Sequence, residues 1–297
     1  MTSETIAALR PKQRPIRATA ARPQASGVNS ILFYVHDDDR LDARLQAALS
    51  IARTCSAHLQ LLSVVPIEAY TVSDGFGGMF VSAEIGEALQ EQAAKVRAQV
   101  ERQLSKEDVR WDYQSVTGVT IAELAERAAL SDLVIMGREP RERDFGRTAI
   151  GLAGQLLHRS STPLFIPANG DVSPDLTGRA IIAWNGSFEA ANAVRSSIGL
   201  LRMAADVRIV RYAEPERRVF PSTTLLEYLS RHDVHAELDE REPQGDVAAN
   251  LSTYALAAGA DYLLMGGYGH SRAGEFLFGG VTRELLRECP VSLVVAH

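Results

Sequence analysis

Two cysteines in 297 residues, Cys55 and Cys289, are too few for a disulfide framework. Neither has a Cys-x-x-Cys neighbour or a metal-ligand spacing. A reducing cytoplasmic setting is therefore expected, with both thiols as small core residues. Long apolar runs are missing as well. None approaches the roughly 20 residues that a membrane span needs, which argues against an integral membrane protein. Clustered cations are scarce outside the first residues. The net charge is −6, yet residues 1–28 carry Arg10, Lys12, Arg14, Arg17 and Arg22 against Glu4, so the rest of the chain carries −10. An acidic body is a poor nucleic-acid surface, because such surfaces displace counterions with clustered Lys and Arg. There is no Gly-x-Ser-x-Gly elbow and no Cys with an evident His partner, so no nucleophile or general base can be named.

What is present is an ordinary globular composition, 46% hydrophobic and 23% charged. The length suits two domains of about 130–150 residues each. Residues 1–28 lack periodicity, and Pro11, Pro15 and Pro23 break any long helix. They are expected to form a disordered basic tail, without the apolar core of a secretory signal. Beyond them, strand-like and helix-like stretches alternate. Ser30–Val35, His58–Val65, Trp111–Val116, Leu133–Met136 and Pro163–Ile166 read as strands. Leu41–Cys55, Val81–Leu104 and Thr120–Leu130 read as helices, the last with Thr120 and Glu123 as a capping box. Tyr70–Phe80, with Gly75, Gly77 and Gly78, reads as a loop. The polar stretch 168–178 reads as a linker. After it come strands at Ala180–Trp184, Val207–Tyr212, Val234–Leu238, Asp261–Met265 and Pro290–Val295. Helices are expected at Ser187–Met203, Ser222–Arg231, Asp246–Ala258 and in the segment ending at Arg287. The alternation predicts parallel sheet covered on both faces.

The chain also repeats itself. Ser131-Asp-Leu-Val-Ile-Met-Gly137 matches Ala260-Asp-Tyr-Leu-Leu-Met-Gly266 at an offset of 129, and Gln155-Leu-Leu157 matches Glu284-Leu-Leu286 at the same offset. Tyr34-Val-His-Asp37 answers Ile182-Ala-Trp-Asn185 at an offset of 148. A repeat this long means two copies of one domain rather than a solenoid. The expected units are 29–168 and 178–297.

The stretch Met265–Thr282 is the strongest candidate site. Two residues separate Gly266 from Gly269, and nine separate Gly269 from Gly279. A strand enters the stretch and an amphipathic helix leaves it. Such a loop lets backbone N–H groups approach an anion, aided by the helix N-terminus. The spacing is neither the dinucleotide fingerprint nor Walker A, and no Gly-Lys-Ser/Thr follows. The alternative is a tight strand-to-helix connection. His270, inside the stretch, is expected to be solvated, with a phosphate contact as the alternative. The cluster His36-Asp37-Asp38-Asp39 is expected to cap the next helix or sit in solvent rather than hold a metal.

In these features each half resembles a universal stress protein domain, and the chain resembles a tandem member of that family. The resemblance covers about residues 29–297. It rests on Ile182-Ala-Trp-Asn-Gly-Ser187, on Ala260–Gly266 and on the Gly-x2-Gly-x9-Gly loop. It implies a five-stranded parallel sheet per domain, flanked by helices, in the Rossmann-like adenine-nucleotide α-hydrolase arrangement. It implies that the two domains pack through their last strands, and that the chain forms a homodimer. It also implies an adenine-nucleotide cleft at the C-terminal strand ends, with ATP, alone or with Mg, held by the loop glycines. Carried onto this chain, Gly266, Gly269, Gly279 and Gly280 contact phosphates, Asn185 lies near the nucleoside, and Thr282 is a polar contact.

Several positions depart from the family pattern. Gly280 stands where nucleotide-binding members carry Ser or Thr, and Asn185 where they carry an acid. In the first half Asp37 keeps that acid, but Pro140 and Ile150 replace the second and third glycines, so this half is expected not to bind nucleotide in the family manner. The expected function is that of an adenine-nucleotide sensor or switch in the cytoplasm. The alternatives are a slow metal-dependent ATP hydrolase and a nucleotide-independent interaction or dimerisation scaffold.

Overall fold

The structure is a computed structural model of the 297-residue chain. It describes residues 27–69, 71–73, 79–138, 151–170, 174–212, 220–267 and 280–297. The basic tail, apart from its last two residues, lies outside the described residues.

In the first half the elements are β1 (Ser30–Val35), α1 (Leu41–Cys55), β2 (His58–Pro66), β3 (Thr71–Ser73), β4 (Met79–Val81), α2 (Ala83–Leu104), β5 (Trp111–Gly118), α3 (Thr120–Ala128), β6 (Leu133–Ile135), α4 (Leu152–Arg159) and β7 (Leu164–Ile166). The second half adds β8 (Arg179–Ala183), α5 (Phe188–Ser196), α6 (Ile198–Met203), β9 (Asp206–Tyr212), α7 (Ser222–Arg231), β10 (Ala236–Arg241), α8 (Val247–Ala257), β11 (Tyr262–Gly266), α9 (Gly280–Glu288) and β12 (Ser292–Ala296).

Ten strands form one sheet in the order β10-β9-β8-β11-β12-β7-β6-β1-β2-β5. Each half contributes five parallel strands, and each runs through its own strands in the same order. The two halves meet at β12 and β7, which pair antiparallel: Leu293 with Ile166, Val294 with Phe165, Val295 with Leu164. The predicted doubly covered parallel sheets are therefore present, joined through their last strands into one continuous layer.

Side-chain alternation along each strand builds a separate apolar layer on each face. Ile31, Phe33 and Val35 pack with α1 and α2, while Leu32 and Tyr34 pack on the opposite face with α3 and α4. In the second half Ile182 and Trp184 join the layer under α5, α6 and α7, while Leu263 and Met265 join the one under α8 and α9. Strands buried on both faces read as continuous apolar runs, and this is why they were legible in the sequence.

The repeated motif has a structural job. The Asp132 carboxylate accepts the backbone N–H groups of Asn29 (2.8 Å) and Ser30 (2.9 Å), which clasps the start of β1. Its counterpart Asp261 accepts the N–H of Arg179 at 2.7 Å, at the start of β8. Asp132→Ala is expected to cost about 1–3 kcal/mol, because two backbone donors lose a charged acceptor. Urea denaturation checks this, through a lower midpoint at an unchanged slope.

Four local expectations are corrected. Within Tyr70–Phe80 the chain forms an antiparallel ribbon of β3 and β4 rather than an unstructured loop. A strand signal only three residues long is swamped by the flanking glycines. The Thr120–Glu123 capping box does not form. Val119 is the cap residue of α3, and Glu123 instead bonds Arg127 one turn on, at 2.8 Å. The single helix expected over Ser187–Met203 breaks at Ser197 into α5 and α6, with Ser187 capping α5. The strand expected at Val234–Leu238 is displaced to β10, because Asp233 takes a left-handed turn (φ 60°) before it.

Beyond strand pairing, a side chain also stitches the seam. Arg138 follows β6 and lies half-buried. Its Nε donates to Pro167 O (3.2 Å), Nη1 to Leu285 O (3.1 Å) and Nη2 to Val291 O (2.8 Å). The last two carbonyls belong to the other half. From the second half, Gly267 lies at the same place in the repeat, and its carbonyl accepts His297 Nδ1–H at 2.9 Å. Cys55 and Cys289 are both buried and outside any disulfide, and burial pushes the Cys289 thiol up.

Candidate functional site

In each half the strand order reverses beside the first strand, and open parallel sheets have their natural crevice at that point. In the second half this lies between β8 and β11. A cleft of about 210 Å3 opens there at the C-terminal strand ends. Ala183, Val210, Met265, Val247 and Leu251 give it an apolar floor, and Asn185, Glu189, Tyr212 and Thr282 supply polar groups.

The chain positions these groups by local capping. Asn185 Oδ1 accepts the Ser187 N–H at 3.1 Å, which turns the chain after β8. Ser187 Oγ then accepts the Ala190 N–H at 3.2 Å and starts α5. Glu189 follows in the first turn, and only 8% of it is exposed. A carboxylate there faces the partial positive charge of the helix N-terminus. On the far wall, the Tyr212 hydroxyl donates to Asn250 O at 3.2 Å, and burial pushes its phenol up. Thr282 is buried in the first turn of α9 and completes the cleft.

Of the six residues carried over from the sequence, the cleft brings together Asn185, Gly266 and Thr282. Gly280 begins α9 nearby, and a Cβ built on it would meet nothing within 4 Å among the described residues. Gly269 and Gly279, with His270, lie outside the described residues. Gly266 has a packing duty that spacing did not reveal. A Cβ on it would sit 2.5 Å from Ala190 N and 2.6 Å from the carbonyl carbon of Glu189. The first turn of α5 thus rests directly on the end of β11, and only glycine permits that approach.

Glu189 was not singled out as a site residue from the sequence. As the second residue of α5 it corresponds to Asp42, the second residue of α1, so the repeat held no signal that would have set it apart.

The equivalent place in the first half is filled by the chain itself. Arg44, with 6% of its side chain exposed, reaches back from α1. Its Nη1 contacts both Asp38 oxygens at 2.7 and 2.9 Å, and its Nη2 donates to His36 O at 2.8 Å. A Cβ on Gly137, the counterpart of Gly266, would lie 3.1 Å from Nη1 and 3.2 Å from Cζ. Strand register corrects the expected match of Asp37 with Asn185: Ile31 stands opposite Leu133 as Ala180 stands opposite Tyr262, which places His36 at the position of Asn185. Asp37, one residue on, accepts Gln92 Nε2 at 2.8 Å. The acidic cluster after β1 therefore serves α1 and α2. Among the described residues no group of three or more His, Cys, Asp or Glu is arranged to hold a metal ion. Pro140 and Ile150 lie outside the described residues. No helix among the described residues is long and apolar enough to cross a membrane.

A family model described as the universal stress protein family matches residues 178–297. Among solved structures, the chain is similar to a universal stress protein from Archaeoglobus fulgidus DSM 4304. The identity is 14% and the TM-score 0.70, over 92% of this chain and 98% of that one. It is also similar to a functionally unknown protein from Pseudomonas aeruginosa PAO1, at 16% identity and a TM-score of 0.52, over 92% and 93% of the two chains. At such identities the likeness is one of fold, and it extends over both halves. Comparison with curated proteins finds no match.

Proposed function

With residues 178–297 a member of the universal stress protein family, and the first half repeating its architecture, we propose that the chain is a stress-response protein that binds an adenine nucleotide, ATP, in its C-terminal half. The observation that carries this is the cleft at the reversal point of the second half, where Asn185, Glu189, Gly266 and Thr282 converge over an apolar floor. At about 210 Å3 it falls below the roughly 300–1,000 Å3 of typical drug-sized pockets, a size suited to the nucleoside rather than the whole nucleotide. The base would lie on Val210 and Met265. The buried Glu189 carboxylate, an acceptor, suits ribose hydroxyls. Phosphates would extend toward the α9 N-terminus at Gly280, where the helix dipole favours anions. Gly269 and Gly279 belong to the same loop and are proposed as further phosphate contacts. Any Mg accompanying ATP would take its ligands mainly from phosphate oxygens and water.

The proposal includes a sensor or switch role in the cytoplasm and a homodimer, which sedimentation of the purified chain checks. The first half is assigned a supporting role, since a nucleoside at its crevice would have to displace Arg44 from Asp38.

Native mass spectrometry of freshly purified protein tests the binding directly, because a retained nucleotide has a readable mass. Calorimetry with millimolar ATP is the second test. No heat and no thermal shift at that concentration would overturn the proposal. Gly280→Ser sharpens it. The added Cβ meets no atom of the described residues within 4 Å, and the hydroxyl would restore a donor beside the phosphates. A hydrogen bond worth about 0.5–1.5 kcal/mol raises affinity several-fold, to be read as a lower Kd for ATP.

A further inference from the structure

We infer that Arg138 of the first half is a positioning residue for the cleft of the second half, which is thereby assembled from both halves. The inference rests on the nucleotide-binding proposal above. Arg138 follows Gly137 at the repeat position that Gly267 holds in the second half. In the second half that position leads into the glycine loop. In the first it carries a guanidinium that crosses the seam.

Its three contacts are backbone carbonyls from three different segments: Pro167 after β7, Leu285 in α9 and Val291 before β12. Burial pushes its pKa down, and among the described residues no carboxylate pairs with it. What stabilises the charge is geometry. A planar fork of donors meets fixed carbonyls, and two of these lie at or just beyond the C-terminal end of a helix, where the dipole favours a cation. Leu285 O also accepts Cys289 N–H at 3.1 Å, so the clamp holds the last turn of α9 at a point already fixed by the helix.

The opposite end of the same helix forms a wall of the cleft through Val281 and Thr282. Leu285 is three residues from Thr282, an axial rise of about 4.5 Å. A helix of nine residues moves as a unit over that distance. Where Arg138 sets the height of the C-terminal turn, it also sets where Thr282 and Gly280 stand against Asn185 and Glu189. Lysine offers the charge but only a point donor, so it cannot span three carbonyls in one plane.

The test uses the full chain with three variants, two readouts and ATP as the probe. Arg138→Met is expected to weaken ATP binding about tenfold, with Arg138→Lys between it and the parent. Leu104→Ala, in the core far from α9, should lower the melting temperature while leaving the Kd for ATP unchanged. The second readout needs no nucleotide. Alkylation of Cys289, read by peptide mass, should be faster in Arg138→Met and slower again in Arg138→Lys, because the thiol sits at the freed end of α9. Should Arg138→Met not fold, Arg138→Lys carries both readouts. The inference is overturned if the Arg138 variants bind ATP and protect Cys289 like the parent, or if Leu104→Ala weakens binding as much as Arg138→Met. If the parent binds no ATP, it is the functional proposal that fails. Unchanged Cys289 alkylation would then overturn the clamp by itself.

Discussion

Phe165→Ala is expected to remove about 3–5 kcal/mol of stability, the usual cost of emptying a fully buried aromatic site. Phe165 has no exposed surface and stands in β7, paired with Val294 of β12 on one side and Ile135 of β6 on the other. It therefore occupies the one place in the sheet where strand direction reverses. Removing its ring leaves a void among strands of both halves, where collapse on one side pulls the other out of register. Guanidinium denaturation reads the loss as a lower midpoint. A transition that also splits in two would mean that seam packing is what makes the halves unfold together. A loss below about 1 kcal/mol would mean that the neighbouring strands close the void, contrary to the dense packing of sheet interiors.

Gly266→Val is expected to cost about 3 kcal/mol, at the upper end of the usual range for overpacking. The reason is the identity of the atoms it meets. At 2.5–2.9 Å from the built Cβ lie backbone atoms of Glu189 and Ala190, not the tip of a flexible side chain. Relief requires α5 to lift from β11, and that helix carries Ser187 and Glu189 into the cleft. The variant should thus lose nucleotide binding along with stability, while Gly280→Ser, whose added Cβ meets no atom of the described residues within 4 Å, should keep the fold. Circular dichroism melts of the two variants make the comparison. Equal melting temperatures would show that α5 does not depend on close approach at Gly266.

Most of the layout was legible because two-sided burial leaves a strong imprint: Ile31–Val35, Leu59–Val65 and Tyr262–Met265 are runs that only a covered sheet explains. The repeat was legible for a related reason. Asp132 and Asp261 each accept the N–H of the first residue of their half's first strand, Ser30 and Arg179, so their neighbours kept the same spacing. What was not legible depends on atoms distant in sequence. Glu123 was assigned to a cap, but Arg127 one turn away competes better for its carboxylate. Gly266 was assigned to phosphate, and its duty toward Ala190 appears only when α5 is in place. Glu189 and Arg44 behave likewise. One places a carboxylate in a cleft and the other closes one, and each depends on a helix folding back over a strand end. Arg138 was not singled out from the sequence, because the three carbonyls it holds come from segments distant along the chain.

The pairing of Arg138 with Gly267 across the repeat bears on what a covalent duplication permits. In a symmetric assembly of identical chains, any residue placed at an interface appears twice, once from each side. An arginine gripping the neighbouring helix would then also replace the glycine that leads into the binding loop, in every copy. Joining the copies in one chain removes that obligation. Arginine and glycine stand at the same repeat position 129 residues apart, so one copy can give up its crevice for the other. The seam also becomes independent of protein concentration, and dilution cannot part the supporting half from the half it supports.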